Sequence, residues 1–143
     1  MFLPTPFQDS LRISAAYSSG VLSDTVTAFV PITTVAQGNI IKAKFSGLSS
    51  INLGYTARLM PDLSVSIINS YFILNDMGSY WGIPYGRNGF FLGNEIYAQL
   101  VWNPVSDLQL RAGGGVFLPG LGNADPNYPV MWKAELNIVF SVL

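Results

Sequence analysis

The chain has 143 residues, of which 10% are charged and 50% hydrophobic, with a formal net charge of −1 and a mean hydropathy of +0.37. A water-soluble domain usually carries about 25% charged residues, so a conventional wetted surface is hard to build from this composition. Cysteine and histidine are absent, which excludes disulfides, thiolate chemistry, imidazole bases and nearly all transition-metal sites. The slightly acidic balance excludes the basic stripe that a nucleic-acid partner requires.

No apolar run approaches the ~18 residues of a spanning helix, because Asn, Ser, Gly or Thr interrupts each one. A chain that is apolar overall and must satisfy every backbone group in lipid is left with one other solution, a closed barrel of strands. The opening MFLPTPFQDS contains two prolines and no alternation and reads as a lead-in. It lacks the basic region and long apolar core of a secretion signal. An outer-membrane location then implies that a signal has been removed or that this chain is part of a larger product.

From Leu11 to Ser18 the residues alternate, with Leu11, Ile13, Ala15 and Tyr17 opposed to Arg12, Ser14, Ala16 and Ser18. A turn is expected at Ser19 and Gly20. A strand is expected over Ser23–Thr34, with Val26, Ala28, Val30 and Ile32 on its apolar side and Pro31 indicating a rim or a bulge. After a turn at Ala36–Asn39, Ile41, Ala43 and Phe45 oppose Lys42, Lys44 and Ser46. An unbroken strand from Asn39 to Met60 would run about 70 Å at ~3.3 Å per residue. That is twice what a membrane requires, so a break is expected within Gly47–Ser50.

The alternation is clear from Ile51 to Leu59, with Asn52, Gly54, Thr56 and Arg58 on the opposite face, and Pro61 and Asp62 form a tight turn. The return strand places Leu63, Val65, Ile67, Tyr71 and Ile73 on the apolar side. It is irregular, with Asn69 among the apolar residues and Ile68, Phe72 and Leu74 opposite. Asn75 to Gly89 is a long loop rich in Gly, Asn and aromatic residues.

Phe91 to Leu118 carries the longest two-residue period in the chain. Leu92, Asn94, Ile96, Ala98, Leu100 and Trp102 share one face, and Gly93, Glu95, Tyr97, Gln99 and Asn103 the other. Beyond a turn at Pro104–Asp107, Leu108, Leu110, Ala112, Gly114, Val116 and Leu118 oppose Gln109, Arg111, Gly113, Gly115 and Phe117. Pairing Leu100 with Leu110 would set Gln99 against Arg111 and Tyr97 against Gly113, an aromatic ring covering a cross-strand glycine. After a second long loop over 119–129, a last strand from Met131 sets Trp132, Ala134, Leu136, Ile138, Phe140 and Val142 against Lys133, Glu135, Asn137 and Ser141. Tight turns at 61–62 and 104–107 alternate with long loops at 75–89 and 119–130, the layout of an outer-membrane barrel.

The charges sort the faces. Arg12, Lys42, Lys44, Arg58, Arg111 and Lys133 fall on the polar side of their strands, together with Glu95 and Glu135. Arg87 and most of the aspartates fall in loops, turns or termini, and only Asp24 lands on an apolar face. An Arg or Lys facing lipid at the midplane costs roughly 2–4 kcal/mol. The large aromatic residues lie mostly near strand ends, where a membrane barrel places its girdles.

The expected fold is therefore all-β, an antiparallel up-and-down meander of seven or eight strands. It forms all or the C-terminal part of a transmembrane β-barrel, with residues 1–143 as one barrel domain or barrel segment. Gly93-x-Glu95, Leu108-x-Leu110 and Gly113-x-Gly115-x-Phe117-x-Pro119-Gly120 resemble the closing hairpin of alginate-export-type outer-membrane barrels over about 30 residues. The resemblance implies a larger barrel, of which this chain is the C-terminal part, with Glu95 and Arg111 lining the lumen. The chain departs from that family in closing on Phe140-Ser-Val-Leu143 rather than on Phe.

The function expected is a porin-like channel in the outer membrane of a Gram-negative-type envelope, for small polar or anionic solutes. Arg12, Lys42, Lys44, Arg58, Glu95, Arg111, Lys133 and Glu135 would line its lumen. Tyr80, Trp81, Tyr85 and Arg87 belong to a loop that could fold in as a constriction. Its partners would be outer-membrane lipid and solute, with closure through further N-terminal strands or an oligomer, and with no enzymatic role, cofactor, metal or nucleic acid. Two alternatives stand beside it. One is a small filled barrel that anchors or presents loops without conducting, because eight strands enclose only enough room for side chains. The other is a lipocalin-like soluble barrel with the apolar face inward.

Overall fold

A computed structural model describes residues 8–19, 37–42, 47–75, 91–119 and 129–141. They form six strands, β1 (Ser10–Tyr17), β2 (Leu48–Met60), β3 (Leu63–Leu74), β4 (Phe91–Val105), β5 (Leu108–Leu118) and β6 (Met131–Phe140). These make a single antiparallel sheet in the order β1-β2-β3-β4-β5-β6. The fold is all-β, a pure meander in which each strand pairs with its neighbours in sequence. Among the described residues the sheet is open, with β1 and β6 at its edges. Among the described residues no helix is long and apolar enough to cross a membrane, which says nothing of crossing by strands. The strand expected over 23–34 and the loop residues Tyr80, Trp81, Tyr85 and Arg87 lie outside the described residues, as does Lys44.

Both tight turns lie at one end of the sheet. At the first, Met60 pairs with Leu63 and the Arg58 guanidinium donates to the Pro61 carbonyl. Pro61 presets the backbone of this turn and gives up no ladder bond there. At the second, Val105 pairs with Leu108, so the turn consists of Ser106 and Asp107 alone. A bulge between Trp102 and Val105 takes up the rest of the Pro104–Asp107 stretch. Pro104 has no N–H to give the ladder, and a bulge is where such a residue is tolerated.

The turn lies later in the chain than expected and the bulge takes up one residue, so the hairpin register is offset by two from the expected one. Leu100 pairs with Ala112, Gln99 with Gly113 and Tyr97 with Gly115. An even shift keeps every side chain on its face. A second bulge, between Phe72 and Ile73, does not. There Phe91 pairs with Ile73 and its ring meets Tyr71 at 5.3 Å between centroids. Leu92 turns to the polar face and is buried there with Phe72 and Phe117, whereas the alternation placed it on the apolar one.

Cross-strand rows follow from the registers. One row of the apolar face reads Ile13, Leu53, Asn69, Ile96, Val116, Trp132; another reads Leu11, Tyr55, Ile67, Ala98, Gly114, Ala134. On the polar face, Arg12, Gly54, Ile68, Tyr97, Gly115 and Lys133 form one row, and Ser14, Asn52, Ser70, Glu95, Phe117 and Met131 the next.

The apolar face is the exposed one. On interior strands Leu53 is 45% exposed, Ile67 43% and Ile96 41%, and toward the β6 edge Leu136 reaches 68% and Trp132 77%. Leu100 and Leu136 do not meet in a dry centre. The buried hydrophobic cluster, Leu48, Phe72, Leu74, Leu92 and Phe117, lies on the opposite face, at the end away from the tight turns, with Ile40, Ile41 and Met131 packed against it.

Asn69 explains its own place among apolar residues. Its carboxamide and that of Asn94 exchange two hydrogen bonds, of 3.0 and 3.2 Å, so each gives its donor to the other's acceptor. A polar side chain paired in this way can face an apolar medium at reduced cost. At the turn end the Trp102 indole donates to the Asp62 carboxylate at 2.8 Å. This holds an aromatic ring at the boundary of the apolar band. From Asn94 to Trp102 is close to the ~9–11 residues a strand needs to cross a bilayer.

Candidate functional site

The polar face gathers most of the charged residues that the sequence marked. Arg12 comes from β1, Arg58 from β2, Glu95 from β4, Arg111 from β5, and Lys133 and Glu135 from β6. Period two dictates this, since each sits an even number of residues from the other polar-face positions of its own strand. Four of them fall into three groups, while Arg58 is tied to the β2–β3 turn through the Pro61 carbonyl and Arg12 stands apart.

The first is centred on β4 and β6. Lys133 Nζ lies 2.6 Å from Glu135 Oε2 and 5.6 Å from the centre of the Tyr97 ring, while the Tyr97 hydroxyl donates to Glu135 Oε1. Lys133 thus touches a carboxylate and an aromatic face at once, and both interactions strengthen as water is withdrawn. The Tyr97 ring occupies the space above Gly113 and Gly115. A Cβ on Gly115 would stand 2.8 Å from Tyr97 Cα and 3.0 Å from its Cδ2. The expected cover of a glycine by Tyr97 is present, and after the register shift it extends over two glycines.

Gly115→Ala is accordingly expected to destabilise the sheet by about 1–3 kcal/mol, because backbone must move to admit the methyl group. Tyr97→Phe keeps the ring and loses one hydrogen bond, with an expected cost of about 0.5–1.5 kcal/mol. Urea unfolding of the two variants in detergent micelles compares them.

The second group is Glu95. Its carboxylate is 1% exposed and accepts three backbone N–H bonds, from Asn39 at 2.6 Å, Ile40 at 2.9 Å and Ile41 at 3.2 Å. A buried carboxylate is tolerated when convergent donors replace its water. Here the donors come from a segment more than fifty positions away in sequence. Residues 40–42 are therefore not the strand that Ile41, Ala43 and Phe45 suggested. Residues 38–41 bend, Lys42 adopts a left-handed φ of 48°, and the N–H groups that a ladder would have used go to Glu95. Lys42 is exposed. The Lys133 ammonium also reaches the Asn39 carbonyl, at 3.4 Å.

The third group lies toward the turns and is more open. Arg111 donates to Gln109 at 2.7 Å, and Gln109 to Asn103 at 2.8 Å, a surface chain of polar contacts. Arg12 stands apart from all of these. With Ser14, Asn39, Asn52, Gly54 and Ser70 it lines a recess of about 280 Å³ between the sheet and residues 38–39.

Among the described residues, no group of three or more His, Cys, Asp or Glu side chains could hold a metal ion. The capture of residues 39–41 by Glu95 had no signature in the sequence beyond a lone acid in a polar row. Asn39, Ile40 and Ile41 look there like a turn followed by a strand. Comparison with protein-family models, with curated proteins and with solved structures gave no match.

Proposed function

We propose that these six strands belong to the wall of an outer-membrane β-barrel, with the apolar face against lipid and the polar face lining a porin-like path for small polar or anionic solutes. The observation that carries this reading is which face is bare. Ile67, Ile96 and Leu100, on interior strands, are each about two-fifths exposed, in a patch that extends across all six strands. A monomeric soluble protein rarely shows an apolar patch beyond a few hundred Å². In a bilayer the same patch is the required surface. Further strands complete the wall, because about eight is the smallest number that closes such a barrel and an open edge cannot face lipid.

Arg12, Arg58, Arg111 and Lys133, with Lys42 from the β1–β2 connection, outnumber Glu95 and Glu135 on the lumen side. Lys133 is largely offset by Glu135, and Glu95 by the N–H groups it accepts, which leaves Arg12, Arg58 and Arg111 to set the field. A modest anion preference follows. In planar bilayers under a salt gradient, the reversal potential is expected to take the sign of anion selectivity; a cation-selective potential would count against this face assignment.

A second reading has one observation of its own. Phe72, Phe117, Leu48, Leu74 and Leu92 fill one end of the polar face with buried hydrocarbon, as in a small plugged barrel that anchors or presents loops. Bilayers that take up folded protein and show no conductance steps would favour it over the channel.

A further inference from the structure

The ends of the β1–β2 connection are held near the strands they leave. Ser18 N donates to the Leu48 carbonyl and Gly47 N to the Ser19 carbonyl, both at 3.1 Å. Residues 39–41, within that connection, nevertheless bind Glu95 on β4, and Asn39 is within reach of Lys133 on β6. The segment therefore lies across the polar face over several strands. Glu95 holds it with charge, and hydrophobic contact assists, since Ile40 and Ile41 pack on the cluster that contains Phe72 and Phe117. Gly38 permits the close fit: its φ is +80°, and a Cβ there would stand 2.9 Å from Glu95 Oε2, from Phe72 Cζ and from Ile41 Cγ2. Beside the segment the Arg12 recess stays open.

The geometry points to a latched constriction. Residues 37–42 narrow the lumen, Glu95 is the latch that keeps them in place, and the passage left beside them is the recess lined by Arg12, Ser14, Asn52 and Ser70. The inference rests on the channel reading above, but the latch can be tested without it. It also assigns the constriction to a segment other than the 75–89 loop.

The chain has no cysteine, so Asn39→Cys provides a unique thiol. Its rate of labelling by a water-soluble maleimide is measured in folded protein in lipid vesicles, alone and combined with Glu95→Ala or Gly38→Val. Glu95→Ala removes the acceptor. Gly38→Val leaves Glu95 in place and forces the segment away by steric overlap, so a folding failure of one variant leaves the other as the test.

Labelling is expected to rise about tenfold or more in either variant, as the released segment opens. Unit conductance in planar bilayers should rise severalfold in the same variants. Unchanged labelling in a folded variant overturns the latch. Raised labelling with unchanged conductance, in a protein that conducts, overturns the constriction while leaving the channel reading intact. Silence from the native chain and both variants overturns the channel reading and the constriction together, and labelling still reports on the latch.

Discussion

Ile67→Arg is expected to abolish or severely impair folding into lipid vesicles, whereas Ser66→Arg, one residue away, folds nearly as the native chain does. Ile67 lies mid-strand on the apolar face, between Tyr55 and Ala98, and is already 43% exposed. In water an arginine at such a position would be harmless or would improve solubility. Against acyl chains near the midplane it costs roughly 2–4 kcal/mol. Ser66 sits between Thr56 and Gln99 on the polar face, where a guanidinium can be solvated. Folding yield by heat-modifiable gel migration, in vesicles and in detergent, distinguishes the two variants. Equal yields, or a worse outcome for Ser66→Arg, would reverse the assignment of the faces.

Phe117→Ala is expected to lower stability by about 3–5 kcal/mol, the range for emptying the site of a fully buried aromatic ring. Phe117 is 0% exposed, with its ring centroid 6.4 Å from that of Phe72. Its neighbour Val116 faces the opposite way and is 37% exposed. Val116→Ala should change stability by no more than about 1 kcal/mol, since the lost methyl groups lie on the exposed face rather than against a fixed cavity wall. Urea titration of the two variants in the same vesicles measures the contrast. Similar losses would mean that the cluster at the loop end of the polar face is not a packed core.

The faces of β2, β4, β5 and β6 were legible in the sequence because strand periodicity is local: each residue's side follows from its neighbours. Arg111 and Glu135 lie on the face that their spacing indicated. What was not legible depended on bulges and on distant partners. The turn at Ser106 and Asp107, together with the one-residue bulge between Trp102 and Val105, offset the hairpin register by two residues without disturbing the faces. The bulge at Phe72 and Ile73 turned Leu92 over. Neither bulge has a local marker strong enough to place it, although Pro104 lies inside one.

The segment at 40–42 failed as a strand for a different reason. Ile41 and Lys42 do alternate, but Glu95 offers three N–H groups a charged acceptor, which a neutral ladder carbonyl does not match. Only the folded sheet brings that carboxylate within reach. Asn69 read as an exception in its strand and became intelligible once Asn94 was seen to satisfy it.

If the greasy side of the sheet meets lipid, the cysteine-free chain allows this to be read residue by residue. Single nitroxide labels at each position from Ile96 to Trp102, in protein reconstituted in vesicles, report accessibility to dissolved oxygen, which concentrates in acyl chains, and to a water-soluble nickel complex. Oxygen accessibility is predicted to peak at residues 96, 98, 100 and 102 and nickel accessibility at 97, 99 and 101. The opposite phase, or nickel accessibility at every position, would contradict the account.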